Sequence, residues 1–366
     1  MKIIIDSYIP YIKGAFDNVA DVEYLPYKEI TPDTIRDADA LVVRTRTHCD
    51  EQLLQNSNVK FIASATIGYG HIDAAYCAQK GIAWTNAPGC NALSVAQYIA
   101  SVLSFLCRKN NYELTGKTMG IVGVGAVGTK IATLARSFGM NVLLNDPPRA
   151  RKEVNETFVP LDIICKQADI ISFHTLLNVS GVDKSFHLAD KAFFDRLERK
   201  PVIINAARGE IVDTSALIHA VKQEKVSDIV LDCWENEPDI DRELLTLTTL
   251  ATPHIAGYSA EGKANAATQS VQAISRFFGL GLDNWETNEL SFPNKDIIND
   301  ITTALPFFEA IYNVEADNAL LKNTPEEFEQ QRSNYFFHHE PKAYFEIMNK
   351  DFAVRFAKQF DVFFYK

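Results

Sequence analysis

Apolar residues fall in short closed runs along most of this chain. Residues 2–6, 40–43, 60–65, 82–85, 118–122, 141–145, 169–173, 201–205, 228–232 and 249–252 hold such runs, bounded by polar, glycine or proline positions. Short runs without polar alternation predict strands buried on both faces. Between them the apolar spacing turns helical, over 30–37, 51–56, 73–80, 91–108, 126–137, 161–167, 191–198, 214–223 and 260–279. Strands alternating with helices predict parallel sheets, whose ligands collect beyond the carboxyl ends of the strands. The two long helices, 91–108 and 260–279, predict crossings between domains. A discontinuous first domain, 1–93 with 256–285, is therefore expected around a second at 94–255, with a cleft between them. After Trp285 the pattern changes. Residues 342–347 and 361–365 predict strands, and Phe352, Phe356 and Phe360 mark one face of a helix between them. A unit of this size barely buries a core alone, so 286–366 is expected to be a small α/β dimerisation domain packed on a twin copy.

Within the second domain, Gly123, Gly125 and Gly128 follow the run 118–122 and open the helix 126–137. This Gly-x-Gly-x-x-Gly spacing allows a tight turn, close approach of backbone to a diphosphate, and close packing of helix on strand. The first N–H groups of the helix supply donors and partial positive charge. Asp146 ends the next strand at the distance expected of the acidic residue that takes the adenosine ribose hydroxyls. An acid there repels a 2′-phosphate, so NAD is expected rather than NADP.

Composition narrows the class. At 366 residues the chain needs more than one core, and 47% apolar residues can fill them. The formal charge of −11, from 47 acids against 36 bases, argues against nucleic acid as the main partner. No apolar stretch has the length of a membrane span. The first apolar run is broken at Asp6 and reads as a strand rather than a signal-peptide core. Six cysteines without a Cys-x-x-Cys pair or zinc-ligand spacing predict free thiols in a reducing cytoplasm and no metal.

Three polar residues lie just past strands of the cofactor domain: Arg208, Glu237 and His254. Their strand ends converge on the nicotinamide side of one sheet. Together they suit oxidation of an alcohol beside a carboxylate. His254 would take the hydroxyl proton, Glu237 would fix and stabilise its ring, and Arg208 would grip the carboxylate with two donors. In the first domain, Arg44 and Arg46 follow the run 40–43 at alternate positions, which suggests a local basic pocket for an anionic group.

The glycine turn, the stretch 205–209 (Asn-Ala-Ala-Arg-Gly), Glu237-Pro238 and Pro253-His254 together resemble the D-isomer-specific 2-hydroxyacid dehydrogenases. Stretches 87–92, 146–149 and 254–263 carry a sharper match to one branch of that family, and the likeness spans nearly the whole chain. It implies a Rossmann-type doubly wound NAD domain, a flavodoxin-like substrate domain, a homodimer, and the catalytic trio Arg208, Glu237 and His254. It implies cofactor contacts at Ala126, Val127, Asp146, Thr175, Ala206, Ala207, Arg208, Asp232 and Gly257. Substrate contacts are implied at Thr45, Thr66 and Tyr258, with a small phosphorylated hydroxyacid as substrate. Two stretches depart from the family pattern: Gly70-His71, where many relatives carry Asp before His, and 336–339 (Phe-Phe-His-His), where a pair of arginines is expected. His338 and His339 are expected to be exposed imidazoles. Alternatives within the fold are a 3-phosphoglycerate- or glyoxylate-type dehydrogenase and an NADH-sensing corepressor.

Overall fold

The computed structural model describes residues 1–153 and 157–364. The chain forms two compact units, Met1–Asn91 with Ser259–Phe292, and Ala92–Tyr258 with Pro293–Lys366. Each is built on one parallel sheet.

The first unit has strands β1 (Lys2–Asp6), β2 (Asp21–Leu25), β3 (Ala40–Val43), β4 (Phe61–Ser64) and β5 (Ala83–Thr85), in the order β2-β1-β3-β4-β5. This is the order of flavodoxin-like sheets. Strands β3 and β4 are buried at every position, as a sheet covered on both faces requires. Edge strand β2 is only half buried and carries Asp21 and Glu23, so its apolar signal is weak and the sequence pattern missed it. The helix expected over 30–37 is instead a series of turns. Thr31 and Thr34 hydrogen-bond each other, and the Thr34 hydroxyl donates to Glu29 O and Thr31 O, competing with a helical ladder. Helix Ala260–Phe278, capped by the Ser259 side chain, packs Ala266, Ala267, Val271 and Ile274 into the core of this unit.

The second unit has β6 (Thr118–Val122), β7 (Asn141–Asn145), β8 (Ile170–Phe173), β9 (Val202–Asn205), β10 (Asp228–Leu231) and β11 (Leu250–Ala251), in the order β11-β10-β9-β8-β6-β7. A single parallel bridge between Leu144 and Phe158 lies on the outer side of β7, where a Rossmann sheet would carry one more strand. The switch in strand order falls between β6 and β8, beside the glycine turn. Gly120 lets helix Leu161–Gln167 close on the sheet, since a Cβ there would stand 2.5 Å from Ile164.

Residues 293–366 correct the expectation of an α/β unit. Among the described residues they form helices and turns and no strand. The stretch expected as a strand over 342–347 lies in the 3-10 helix Pro341–Ile347, and 361–363 are another 3-10 turn, Asp361–Phe363. Tyr365, the end of that second expected strand, lies outside the described residues. Short aromatic runs favour strands only where a partner strand pairs with them, and here the rings fill a helical core instead. That core is shared within the chain. Phe307, Phe308, Ile311 and Tyr312 join Val95, Ile99, Val102, Leu103 and Leu106 of helix Ala92–Asn110 in one cluster. Ser101 and Ser104 on the same helix donate to Phe308 O and Glu309. Helix Lys350–Gln359 brings in Phe352 and Phe356, as their spacing implied.

Phe307 is fully buried and meets Phe308, Tyr344, Phe352 and Phe356 ring to ring. Phe307→Ala should cost about 3–5 kcal/mol. The loss should fall on the cofactor-binding sheet and the C-terminal segment together, as one transition in a denaturant melt. Two resolved transitions, with only the minor one moved, would show that the segment folds apart from the sheet.

Candidate active site

The glycine turn is shaped for a diphosphate. Gly123 has φ +89°, and a Cβ there would lie 2.5 Å from Thr175 N. A Cβ on Gly128 would stand 2.0 Å from Gly123 O, so helix Ala126–Ser137 can begin only where this residue is glycine. Around Gly125 nothing lies within 4 Å of a Cβ. That open space, at the N-cap of a twelve-residue helix whose first N–H groups are those of Ala126 and Val127, fits a diphosphate. Asp146 caps the helix Pro147–Lys152 by accepting from Arg149 N at 3.0 Å, and its other oxygen accepts from Val124 N at 2.8 Å. The acid thus ties the glycine turn to the end of β7. Arg149 beside it is bound to Glu153 at 2.6 and 2.9 Å and to Val124 O at 2.6 Å. Thr175 follows β8, its backbone against Gly123.

Beyond β9, β10 and β11 the structure brings together Arg208, Glu237 and His254. Asn205, at the end of β9, holds the turn that carries Arg208. Its side-chain oxygen accepts from Ala207 N and its amide donates to Arg208 O at 2.8 Å. The Arg208 guanidinium donates to Ala207 O at 2.6 Å. Gly209 then lies against Trp234, where any Cβ would meet the Trp234 carbonyl at 1.9 Å. Only glycine lets the turn after β9 come so near the turn after β10. Trp234 N–H donates to Glu237 Oε1 at 2.9 Å, and its indole N–H donates to Thr252 O at 3.0 Å. His254 Nδ1 stands 2.8 Å from Glu237 Oε2 and 3.0 Å from Oε1, which leaves Nε2 as the ring's other nitrogen. Burial alone would raise the Glu237 carboxyl. The charge and hydrogen bond of His254, the Trp234 N–H and the Arg332 guanidinium outweigh it and hold the carboxyl below its ordinary range.

His254 has φ +59°, in the left-handed region. The buried Asp232 carboxylate holds the segment there, accepting from the Thr252 hydroxyl at 2.7 Å, Ile255 N at 2.7 Å and Ala256 N at 3.1 Å. Burial pushes the Asp232 carboxyl up, opposed by the His254 charge and these three donors. Tyr98, on helix Ala92–Asn110, extends the chain of contacts to the Thr252 hydroxyl at 3.0 Å. Gly257 lies between Ala256 and Tyr258 at the end of the same turn, and Tyr258 N donates to Ile255 O.

Cys233, Glu237 and His254 offer ligand atoms within 4.8 Å of one another. Burial first, then the Asp232 and Glu237 charges, raise the Cys233 thiol well above its ordinary range, so it stays protonated. With Nδ1 committed to Glu237, the set reads as an acid–base pair beside a thiol rather than a metal centre.

In the first unit, Thr45 and Arg46 are exposed past β3. Arg44 is bound to the fully buried Asp6 at 2.9 Å and lies over the Tyr8 ring. Thr66, past β4, bonds Ser64 at 2.8 Å, and Ser64 bonds His71 Nε2 at 2.9 Å. Burial, then His48, pushes His71 down to about 4. The histidine after Gly70 therefore orients hydroxyls and stays neutral.

The pair His338-His339 is buried, which corrects the expectation of exposed imidazoles. His338 stacks on Tyr312 at 3.8 Å, and burial, then the His339 charge, holds it down at about 3. The sequence reading also missed Arg332, on helix Phe328–Ser333, whose Nη1 lies 3.7 Å from Glu237 Oε2. No motif marks it; only folding brings 332 to 237.

Residues 104–256 match the NAD-binding domain of the D-isomer specific 2-hydroxyacid dehydrogenase family. An erythronate-4-phosphate dehydrogenase of Bacteroides thetaiotaomicron is 50% identical over 348 residues, 94% of this chain and 98% of that protein. One of Bacteroides fragilis is 49% identical over 96% of this chain and all of its own length. Among solved structures, the NAD+-bound 3-phosphoglycerate dehydrogenase of Entamoeba histolytica is 27% identical with a TM-score of 0.66, covering 80% of this chain and 99% of that one.

Asp232→Ala should leave two buried N–H groups unpaired and the Thr252 hydroxyl with Tyr98 alone, at about 3 kcal/mol in all. The melting temperature should fall by about 6–12 °C on that basis. Asp232→Asn should cost less but still lower the melting temperature, because an amide turned to accept from Thr252 and Ile255 keeps two of the three bonds and presents its own N–H2 to Ala256 N–H. A melting curve for the Asn variant that overlays the wild-type one would show that Asp232 does not hold the turn.

Proposed function

The chain belongs to the D-isomer specific 2-hydroxyacid dehydrogenases, and we propose that within them it is an NAD-dependent erythronate-4-phosphate dehydrogenase. It would oxidise 4-phospho-D-erythronate to 2-oxo-3-hydroxy-4-phosphobutanoate, a step of pyridoxal 5′-phosphate synthesis. The observation that carries this reading is the 50% identity along 94% of the chain to a protein of that name. Similarity to the 3-phosphoglycerate enzyme is much lower, at 27%. A C-terminal segment folded into the core of the cofactor unit favours a metabolic enzyme over a corepressor. No helix among the described residues is long and apolar enough to cross a membrane. We further propose that the enzyme works in the cytoplasm as a homodimer, with 286–366 as its dimerisation unit beside a substrate domain (1–93 and 256–285) and a cofactor domain (94–255).

Bound at the glycine turn, NAD supplies the acceptor for the hydride. The protein's own part is placement and proton transfer. His254 Nε2 takes the C2 hydroxyl proton as the alcohol becomes a ketone. Glu237 holds Nδ1, fixes the tautomer and stabilises the imidazolium that results. Arg208 takes the substrate carboxylate on its planar fork. Asp146 takes the adenosine ribose, while Ala126, Val127, Thr175, Ala206, Ala207, Asp232 and Gly257 line the rest of the cofactor path. Thr45, Thr66 and Tyr258 give hydroxyls to the substrate, and Arg44 and Arg46 give positive charge to its phosphate. Arg44 is also bound to Asp6, at 2.9 Å.

Two measurements test the reading. NAD should be preferred to NADP by at least about tenfold in kcat/KM, since a 2′-phosphate beside the Asp146 carboxylate forfeits at least about 1.4 kcal/mol. Equal efficiency with both cofactors would remove Asp146 from the ribose site. Separately, 4-phosphoerythronate should exceed erythronate by about 10³ in kcat/KM, the equivalent of two lost charge-assisted bonds of about 1.5–3 kcal/mol each. The assay needs continuous removal of the keto acid. If erythronate reacts as well as its phosphate, the specific substrate falls and the general hydroxyacid dehydrogenase remains.

A further inference from the structure

Arg332 sits outside the residues matched by the family model, yet it reaches the acid–base pair. Its side chain is only 23% exposed. Nη1 lies 3.7 Å from Glu237 Oε2, and Nε donates to the Tyr258 hydroxyl at 3.3 Å. Glu237 is thus shared. Oε1 accepts from Trp234 N–H, Oε2 faces the guanidinium, and both oxygens face His254 Nδ1. Tyr258 is held from the same side, its ring against Tyr335 and Phe337 of the C-terminal segment. A guanidinium costs much to bury, and this one is retained where it touches the two groups nearest the chemistry.

We propose that Arg332 is a positioning residue of the reaction: it shares Glu237 with His254, so weakening the carboxylate's hold on the protonated imidazole, and it fixes the Tyr258 hydroxyl. A permanent cation beside Glu237 opposes a second one on the ring. The other charges around the pair are accounted for. Asp232, buried beneath the His254 turn, acts on the ring in the opposite sense to Arg332. Cys233, within 4.8 Å of Glu237 and His254, stays a neutral thiol. Arg208 acts on the Cys233 side in the same sense as Arg332. Of the two arginines, only Arg332 pairs with Glu237 directly.

The test uses the full chain as wild type, Arg332→Gln and Arg332→Lys. The His254 imidazole is titrated by NMR on histidine-labelled protein, its signal assigned by its loss in His254→Gln. Kinetics with 4-phosphoerythronate and NAD are measured in parallel and rest on the proposed function. Arg332→Gln should raise the His254 midpoint by about one pH unit. The acidic limb of the oxidation profile should rise with it. Arg332→Lys keeps the charge and should move the midpoint less than half as far. Both should raise KM by about tenfold, because the Nε–H that holds the Tyr258 hydroxyl is gone. A His254 midpoint in Arg332→Gln within about 0.2 unit of wild type, a difference of about 0.3 kcal/mol, would overturn the proposal. If Arg332→Gln does not fold, Arg332→Lys decides: a raised KM with an unmoved midpoint supports the assignment, and a wild-type KM overturns it. Wild-type protein inactive on phosphoerythronate would sink the substrate reading, and the NMR titration would still judge Arg332.

Discussion

One buried carboxylate sets the geometry on which the candidate chemistry depends. Asp232 lies at the end of β10 and accepts from three donors on the neighbouring turn after β11. Those donors fix Thr252, Ile255 and Ala256 and leave His254 between them in a left-handed conformation that costs about 1–3 kcal/mol for a non-glycine residue. The three bonds to the buried carboxylate, whose loss should cost about 3 kcal/mol in all, are enough to hold it there. Because the turn is held, Nδ1 meets Glu237, and Nε2 is left as the ring's other nitrogen. The same carboxylate is reached through Thr252 by Tyr98 on the long helix Ala92–Asn110, so the turn that carries His254 is braced from the core of its own unit.

The glycines act on the same problem from the other side. Arg208 and Glu237 converge because Gly209 lets one turn lie on the Trp234 carbonyl, a contact that no side chain would survive. The diphosphate turn depends on Gly123 and Gly128 for the same steric reason, while Gly125 faces open space. Close approach of backbone to backbone builds the frame, and close approach of backbone to ligand is left for one position.

Much of this was legible in the sequence because parallel sheets leave a strong trace. Fully buried strands such as Val202–Asn205 read as unbroken apolar runs, and chemistry gathers where those runs end. Arg208, Glu237 and His254 follow such runs, and the structure sets Glu237 and His254 in hydrogen-bond contact. What failed had weaker or non-local signals. Edge strand Asp21–Leu25 is half polar. The stretch 30–37 lost its helix to threonine side chains that bond the backbone. The C-terminal aromatics have helical and strand readings alike until a partner surface is known, and the partner proved to be helix Ala92–Asn110. His338 looked exposed because its neighbours in sequence are polar or aromatic; its neighbour in space is the face of Tyr312. Arg332 lies far in sequence from the trio and carries no motif.

The charge pattern explains how an acidic protein can take an acidic substrate. A net −11 repels anions at long range, but screening confines that effect to about a Debye length, roughly 8 Å at physiological salt. At close range a fixed guanidinium outweighs it. Arg44 in the first unit is anchored on Asp6, and Arg208 in the second on Ala207 O. An anchored cation has already given up its side-chain freedom during folding, so a bound anion need not supply that entropy again. It also reorients little as charge develops in the reaction, which is the condition under which electrostatic stabilisation is strongest. The anchors that are themselves acidic have a second effect. They offset part of the guanidinium's charge, so that direction counts as much as charge. An anchored guanidinium therefore favours an anion whose oxygens match its planar fork over one that merely carries the right charge.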